Sequence, residues 1–228
     1  MELKGRLGAI ASKIPECGTL ADIGTDHAYI PIYASLKGLC ARALAADVRA
    51  GPVRIAERNI RRYHLHGRVE TRLGYGLEPI APGEADVAVI AGMGGPLICE
   101  ILQGSVEKAR QMKLLVLQPM NVVEAVRKWL NESGFAICEE ILAPEGKKLY
   151  HIICTSWTGD VGPQDEYELY AGKELLQGGD PFLKEYLVRK KRQLDVILEG
   201  KTRAGDDVDE LRRITGIRDR ILAELATL

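Results

Sequence analysis

Between residue 19 and about residue 155, short apolar runs alternate with amphipathic segments. This is the pattern of repeated βα units around a parallel sheet, in which each strand must be covered by a helix before the next strand begins. The apolar runs predict strands at Thr19–Asp22, Ala41–Asp47, Val69–Leu73, Asp86–Ala91, Leu114–Gln118, Phe135–Leu142 and Leu149–Thr155. Val87 to Ile90 and Leu114 to Leu117 are apolar on successive residues, as central strands covered on both faces must be. Pro52, just after Gly51, suits the start of a helix running to about Leu65, and a second helix is predicted from Val122 to Ser133. Gly38 and Gly134 read as helix stops.

The last two strands break the rule, because only Ala143 to Lys148 separate them. That is too short for a crossover helix and predicts an antiparallel hairpin. After Gly159, Gly162 and Pro163 the period changes to that of a helix. Phe182, Tyr186, Leu194 and Ile197 repeat at helical spacing, as do Val208, Leu211, Ile214, Ile217, Ile221 and Leu225. Two long helices joined near Gly200 to Gly205 are expected, paired as a helical hairpin or short coiled coil. The pattern divides the chain into an α/β domain, residues 1–160, and a helical C-terminal domain, residues 161–228.

Composition narrows the class. At 228 residues the chain can hold one doubly wound domain and a smaller appendage. Hydrophobic residues at 46% and charged residues at 28% fit a folded globular protein rather than a disordered or fibrous one. No uncharged stretch approaches the roughly 18 residues of a membrane span, so no membrane association is expected and the cytoplasm is the expected location. Cys17, Cys40, Cys99, Cys138 and Cys154 show no Cys-x-x-Cys spacing, which argues against a disulfide framework or a zinc site, and no metal is expected. With a net charge of −1, nucleic-acid binding must come from local patches. No feature calls for an obligate protein partner.

In a doubly wound sheet the ligand lies at the carboxyl ends of the strands, at the topological switch point. Asp22 ends the first strand, Gly24 permits a tight turn, and a helix begins near Tyr29. Such a turn also occurs without any ligand. Asp47 ends the second strand, about 20 residues on, where an acid can accept hydrogen bonds from both ribose hydroxyls of an adenosine, with Val48 beside it. It can also merely cap the following helix. The loop departs from the dinucleotide Gly-x-Gly-x-x-Gly pattern, with Asp26 at the second glycine position and Tyr29 at the third. An acid there repels a pyrophosphate but suits a ligand carrying an ammonium and a sulfonium, which Asp22 and Asp26 can hold directly or through water. Together with the closing hairpin, this favours the methyltransferase variant of the Rossmann-like fold over the dehydrogenase one. Gly74-Tyr75-Gly76-Leu77 after the third strand is a candidate adenine loop or equally a hairpin-like turn, and Ala91-Gly92-Met93-Gly94-Gly95-Pro96 after the fourth lets backbone approach both cofactor and substrate.

Taken together, Asp22 to Pro31 (DIGTDHAYIP), Ile90 to Gly95 (IAGMGG) and Gln118-Pro119 resemble the bacterial tRNA (adenine-22-N1)-methyltransferase family, over essentially the whole chain. The resemblance implies a class I methyltransferase that moves the methyl of S-adenosyl-L-methionine to N1 of an adenine in the tRNA D-arm. One departure is Tyr75, where such enzymes often carry Asp or Asn. Asp22, Gly24, Asp26, His27, Asp47, Val48, Gly74, Gly76, Leu77, Ala91, Gly92, Met93 and Gly94 are the expected cofactor-binding residues. Asp26 and Tyr29 are the catalytic candidates. Asp26 can stabilise the cationic product or hold the cofactor, and Tyr29 can stack on or hydrogen-bond the extruded base.

Arg54, Arg58, Arg61 and Arg62, followed by Arg68 and Arg72, face only Glu57 and Glu70 as opposing charges and interleave with Tyr63, His64 and His66. They are the first candidate RNA surface, and Arg189, Lys190, Lys191 and Arg192, joined by Arg212 and Arg213, form a second. Either can also be an ordinary solvated helix face. The helical domain reads as a tRNA grip or as a dimerisation hairpin. The residues alone also leave open a methyltransferase acting on another RNA, a protein or a small molecule, or a non-catalytic RNA-binding protein with a decayed cofactor fold.

Overall fold

The computed structural model describes residues 1–204 and 207–228. In chain order its elements are α1 (Gly5–Ala11), β1 (Cys17–Ile23), α2 (Tyr29–Lys37), β2 (Cys40–Asp47), α3 (Ala50–Arg62), β3 (Val69–Leu73), β4 (Val87–Met93), α4 (Gly95–Gly104), α5 (Val106–Arg110), β5 (Leu114–Pro119), α6 (Val123–Glu132), β6 (Phe135–Glu145), β7 (Lys148–Trp157), α7 (Glu166–Ala171), α8 (Lys173–Gly178), α9 (Leu183–Ala204) and α10 (Val208–Leu225). The chain clusters into two units, Met1–Gly162 and Pro163–Leu228.

In the first unit the seven strands form one sheet in the order β3-β2-β1-β4-β5-β7-β6. Strands β1 to β5 run parallel, and β7 pairs antiparallel with both β5 and β6. The two-residue side-chain period decides which helices cover which face. Leu20, Ala43, Ala45, Val87, Val89 and Val116 point to one face, where Ile10 of α1, Ile30 and Ala34 of α2, and Ala56 and Ile60 of α3 pack on them. Ala21, Ile23, Leu44, Ala88, Ile90, Leu115 and Leu117 point to the other, under Ile98 and Leu102 of α4, Ala109 of α5, and Val126 and Leu130 of α6. The expected doubly wound sheet with a terminal antiparallel hairpin is therefore present. Gly38 ends α2 in the left-handed conformation, its N–H bonding back into the last turn.

Some boundaries differ from the sequence reading. The hairpin strands extend until Glu145 pairs with Lys148, leaving a turn of Gly146 and Lys147 rather than a loop of residues 143–148. Pro144 is tolerated because β6 is the edge strand, where a missing N–H breaks no inner ladder. Helix α3 starts at Ala50, ahead of Pro52. Helix α1, ahead of the first strand, was not foreseen at all.

In the second unit, Leu183, Tyr186, Leu187 and Leu194 of α9 are buried, as are Ile214, Ile217 and Ile221 of α10, and the two helices pack on each other. Gly200 does not break α9, which continues to Ala204; Lys201 of its last turns pairs with Glu210 of α10 at 2.9 Å. The far end of the expected joint, Gly205, lies outside the described residues. Among the described residues, no helix is long and apolar enough to cross a membrane.

Candidate active site

Strand β1 lies between β2 and β4, and the chain leaves it to one face through α2 and leaves β4 to the other through α4. A crevice opens where the connections diverge, at the strands' carboxyl ends. A cavity of about 420 Å³ occupies it, lined by Ile23, Gly24 and Asp26 after β1, Asp47 to Arg49 after β2, Gly74 to Gly76 after β3, Ala91 to Met93 of β4, Leu97 and Ile101 of α4, and Arg6 of α1.

The first loop is wound back on itself. Gly24 has φ +75°, and a Cβ there would stand 2.2 Å from Met93 Cε. Asp26 and Ala28 are also left-handed, at φ 48° and 58°, conformations that non-glycine residues adopt only where the surroundings impose them. The N–H groups of Gly24 and Thr25 both donate to Ala46 O, at 2.8 and 3.0 Å, which fixes the loop to the end of β2. Beneath it, Asp22 accepts a 2.6 Å hydrogen bond from Thr25 Oγ1. Burial pushes the Asp22 carboxyl up to about 6; the Thr25 hydroxyl opposes the shift and the Asp47 charge adds to it.

Asp47 Oδ1 accepts from Arg49 N at 2.8 Å, and among the described residues Oδ2 has no protein partner. That free oxygen fits a ribose hydroxyl. Apolar side chains of Val48, Leu97 and Ile101 stand with the Tyr75 ring on the walls, a setting for a purine ring. The hydroxyl of Tyr75 donates to Glu100 Oε1 at 2.6 Å. Gly76 is required by close approach: it has φ +51°, and a Cβ would lie 2.8 Å from Ile101 Cγ2.

Gly92 forms a bulge in β4, with φ +77° and a register shift between Ala91 and Met93. Its N–H donates to Gln118 Oε1 at 3.1 Å. The neighbouring loops are locked together, since Met120 N donates to Met93 O at 2.8 Å and Gly95 N to Asn121 O at 3.1 Å.

Of the expected cofactor residues, Gly24, Asp26, Asp47, Val48, Gly74, Gly76, Ala91, Gly92 and Met93 come together on the cavity wall. Asp22 lies buried beneath the loop, Leu77 is fully buried in the core, and Gly94 caps α4, so these three shape the site from behind. His27 stacks on Tyr29 with ring centroids 5.1 Å apart and puts Nε2 3.3 Å from Asp26 Oδ2. Its carbonyl accepts from Asn59 Nδ2 of α3 at 3.0 Å. Tyr29 is exposed, and its ring lies outside the cavity lining. Sequence reasoning did not find Arg6, Leu97 or Ile101: Arg6 lies ahead of every recognisable motif, and the other two read as ordinary helix positions.

Residues 3–153 match the family described as "Methyltransferase domain". The chain is 33% identical over 229 residues to the tRNA (adenine(22)-N(1))-methyltransferase of Bacillus subtilis (strain 168), covering 97% of this chain and 94% of that protein. It belongs to the tRNA (adenine(22)-N(1))-methyltransferase family. The fold is accordingly the Rossmann-like class I methyltransferase fold with a C-terminal helical extension. Among solved structures, Sp1610 of Streptococcus pneumoniae, in complex with S-adenosyl-L-methionine, is 29% identical with TM-score 0.85 over 99% of this chain and 100% of that one. TrmK of M. capricolum, in complex with the cofactor product S-adenosyl-homocysteine, is 26% identical with TM-score 0.78 over 97% and 98%.

In this methyltransferase the α3 arginines are free for an outside partner. Arg54, Arg58 and Arg61 share one helix face, Arg62 sits one turn beyond Arg58, and all four are exposed with no salt bridge among the described residues. The acids near them are engaged elsewhere: Glu57 accepts from Thr71 Oγ1, and Glu70 is held by Arg42 and Arg72. Arg68 donates to Cys40 O and Arg72 to Pro79 O and Glu84, so those two are structural. In the second unit Arg189 pairs with Glu185, Lys191 with Asp195 at 2.7 Å, and Lys190 lies 3.6 Å over the Tyr170 ring. Arg192 is exposed without a salt bridge among the described residues.

Proposed function

We propose that this enzyme transfers the methyl group of S-adenosyl-L-methionine to N1 of adenine 22 in the D-arm of tRNA. The observation that carries this reading is the switch-point cavity, with the free oxygen of Asp47 and the Asp26 carboxylate both on its wall, beside the His27–Tyr29 stack. Asp47 would hold the ribose, the Tyr75, Val48, Leu97 and Ile101 wall the adenine, and Asp26, backed by Asp22, the ammonium. When bound, S-adenosyl-L-methionine supplies a methyl already activated on a sulfonium.

What remains for the protein is mainly orientation. Adenine N1 keeps its lone pair at neutral pH, so the site needs alignment more than a strong base. N1 lies on the pairing edge, so the base must leave its stack at a cost of a few kcal/mol. The Tyr29 ring, braced by His27, offers the flat face that offsets part of that cost. Methylation leaves a cationic purine, and the Asp26 carboxylate, exposed at the loop, is proposed to stabilise it.

The α3 arginines, Arg54, Arg58, Arg61 and Arg62, would follow the tRNA backbone, with Arg192 and its neighbours Arg189, Lys190 and Lys191 as a weaker second contact. In this reading residues 1–160 catalyse, residues 161–228 grip the tRNA, and a tRNA substrate places the enzyme in the cytoplasm. The deciding experiment incubates the protein with labelled S-adenosyl-L-methionine and unmodified total tRNA and maps the modified nucleotide. Label at N1 of adenine 22 is expected. Label at another nucleotide, or none, would overturn the substrate assignment.

A further inference from the structure

We propose that Asn121 identifies the target base, its side-chain amide holding the N6 and N7 edge of the extruded adenine while N1 faces the methyl group. The proposal rests on the methyl-transfer reading above and adds what selects adenine, since a stacked ring tolerates any base and a carboxylate accepts hydrogen bonds but donates none. The reaction restricts where recognition can occur. N1 must point at the sulfonium, so a side chain that tells adenine from guanine has to bond the N6 and N7 edge. There adenine offers a donor, N6–H, and an acceptor, N7, whereas guanine offers two acceptors, O6 and N7. An amide, with one C=O and two N–H groups, matches adenine and sets an oxygen against an oxygen in guanine.

The segments that close β4 and β5, residues 91–96 and 118–122, carry two such amides, Gln118 and Asn121. Gln118 is fully buried and committed: its Oε1 accepts from Arg6 Nη1 at 2.6 Å and from Gly92 N at 3.1 Å, and its Nε2 donates to Pro119 O at 2.8 Å. Asn121 is exposed. Its Oδ1 accepts from Gly95 N at 3.3 Å, which fixes which end of the amide is the oxygen and leaves a second lone pair open. Among the described residues, Nδ2 has no protein partner.

The amide stands beside the cavity. Met93 lines the cavity, Met120 N donates to Met93 O at 2.8 Å, and Gly95 N donates to Asn121 O at 3.1 Å, so Met120 and Asn121 run along the loop that leaves the cavity wall. Gly94 gives the amide room, since a Cβ there would lie 3.1 Å from Asn121 Oδ1. The next residue, Val122, is left-handed at φ 47°. A β-branched residue takes that conformation only under constraint, and residues strained in this way cluster at functional sites.

Methylation kinetics on tRNA assembled with adenosine or 7-deazaadenosine at the target position test this. The 7-deaza base keeps N1 and the N6 amine and loses the N7 acceptor. The wild type is expected to show a kcat/KM about 3- to 10-fold lower on the 7-deaza tRNA, the range of one hydrogen bond. Asn121→Ala should lower kcat/KM on the adenosine tRNA by about 5- to 150-fold, the range of one bidentate side-chain contact to a base, and should remove the preference. Asn121→Asp, which sets an oxygen against the N7 lone pair, should reverse it and favour the 7-deaza tRNA. Both variants should bind S-adenosyl-homocysteine like the wild type in titration calorimetry. An Asn121→Ala protein that keeps the wild-type preference would overturn the proposal, as would a wild type that methylates both tRNAs equally or an Asn121→Ala loss that follows weaker S-adenosyl-homocysteine binding alone. A wild type that methylates neither tRNA would instead overturn the substrate reading itself.

Discussion

Thr25 Oγ1 hydrogen-bonds Asp22 Oδ2 at 2.6 Å, tying the start of the first loop back to β1 through a buried acid. Burial raises the Asp22 carboxyl from 3.8 to about 6, and this makes the site pH-sensitive in a definite direction. Below about pH 4 the acid is neutral in folded and unfolded chains alike. Between about 4 and 6 the unfolded chain loses the proton more readily, so Asp22 lowers stability as pH rises through that window, and the effect is constant above it. The upper bound is about 3 kcal/mol. A bound ammonium favours the ionised form, so affinity for S-adenosyl-homocysteine should rise about five- to tenfold between pH 5 and 7. Asp22→Asn should bind weakly with no such slope, as titration calorimetry at several pH values would reveal. A wild-type affinity independent of pH over this range would remove Asp22 from cofactor binding.

Asp26 and Tyr29 should separate by kinetics. Asp26→Ala is expected to fold normally and lose most methylation, about 100-fold or more in kcat, because its proposed role sets the carboxylate where charge develops. Tyr29→Ala should chiefly raise KM for tRNA, by about 10-fold, the scale of one base-stacking contact, while Tyr29→Phe stays close to the wild type. Steady-state assays with defined tRNA measure both. Normal turnover by Asp26→Ala would take that residue out of the mechanism.

The parts of this site that local chemistry dictates are legible in the sequence. Asp22 and Gly24 bracket a strand end, Asp47 ends the next strand, and Gly92 sits where β4 must bulge. Six residues between two apolar runs announced the hairpin, though Pro144 and Gly146 concealed how far its strands reach. Arg6 could not be read, because its meaning comes from Gln118 and Tyr150, more than 100 positions along the chain. The same holds for the basic runs: spacing revealed the charge, but only the fold shows that Arg68 and Arg72 are used internally while Arg54 and Arg58 are not. Val122 is similar. Its left-handed φ of 47° goes against its own preference, and its carbonyl oxygen lies 2.5 Å from where a Cβ on Gly95 would stand.

The free arginines of α3 predict a salt-dependent defect. Arg54→Ala and Arg58→Ala should each weaken tRNA binding regardless of sequence and reduce the slope of log K against log salt by about 1, the mark of a lost phosphate contact. Binding of S-adenosyl-homocysteine should be unchanged. Arg72→Ala, which breaks contacts to Glu70, Glu84 and Pro79 O, should instead lower thermal stability. Filter binding of tRNA at several salt concentrations distinguishes these outcomes, and an unchanged slope in both α3 variants would move the RNA surface elsewhere.

A buried cluster away from the cavity sets the acid limit of the fold. Glu140 of β6 receives Arg127 Nε at 3.0 Å and Nη2 at 2.6 Å, and His151 Nδ1 lies 2.7 Å from its Oε1. Burial alone would raise the Glu140 carboxyl, but Arg127 and His151 outweigh it and hold the group below the usual carboxylate range. A depressed acid stabilises the fold above its unfolded value, and that stability is lost as pH falls toward the folded one. Urea unfolding should therefore show wild-type stability declining below about pH 4.5, near the ordinary Glu value. Glu140→Gln should cost about 3 to 5 kcal/mol at pH 7, because it takes the bidentate carboxylate away from the buried Arg127 charge. Replacing the partners together, Arg127→Met with Glu140→Leu, should cost much less, since no unpaired charge remains. A double variant as unstable as Glu140→Gln would mean that packing, rather than the ion pair, governs this region.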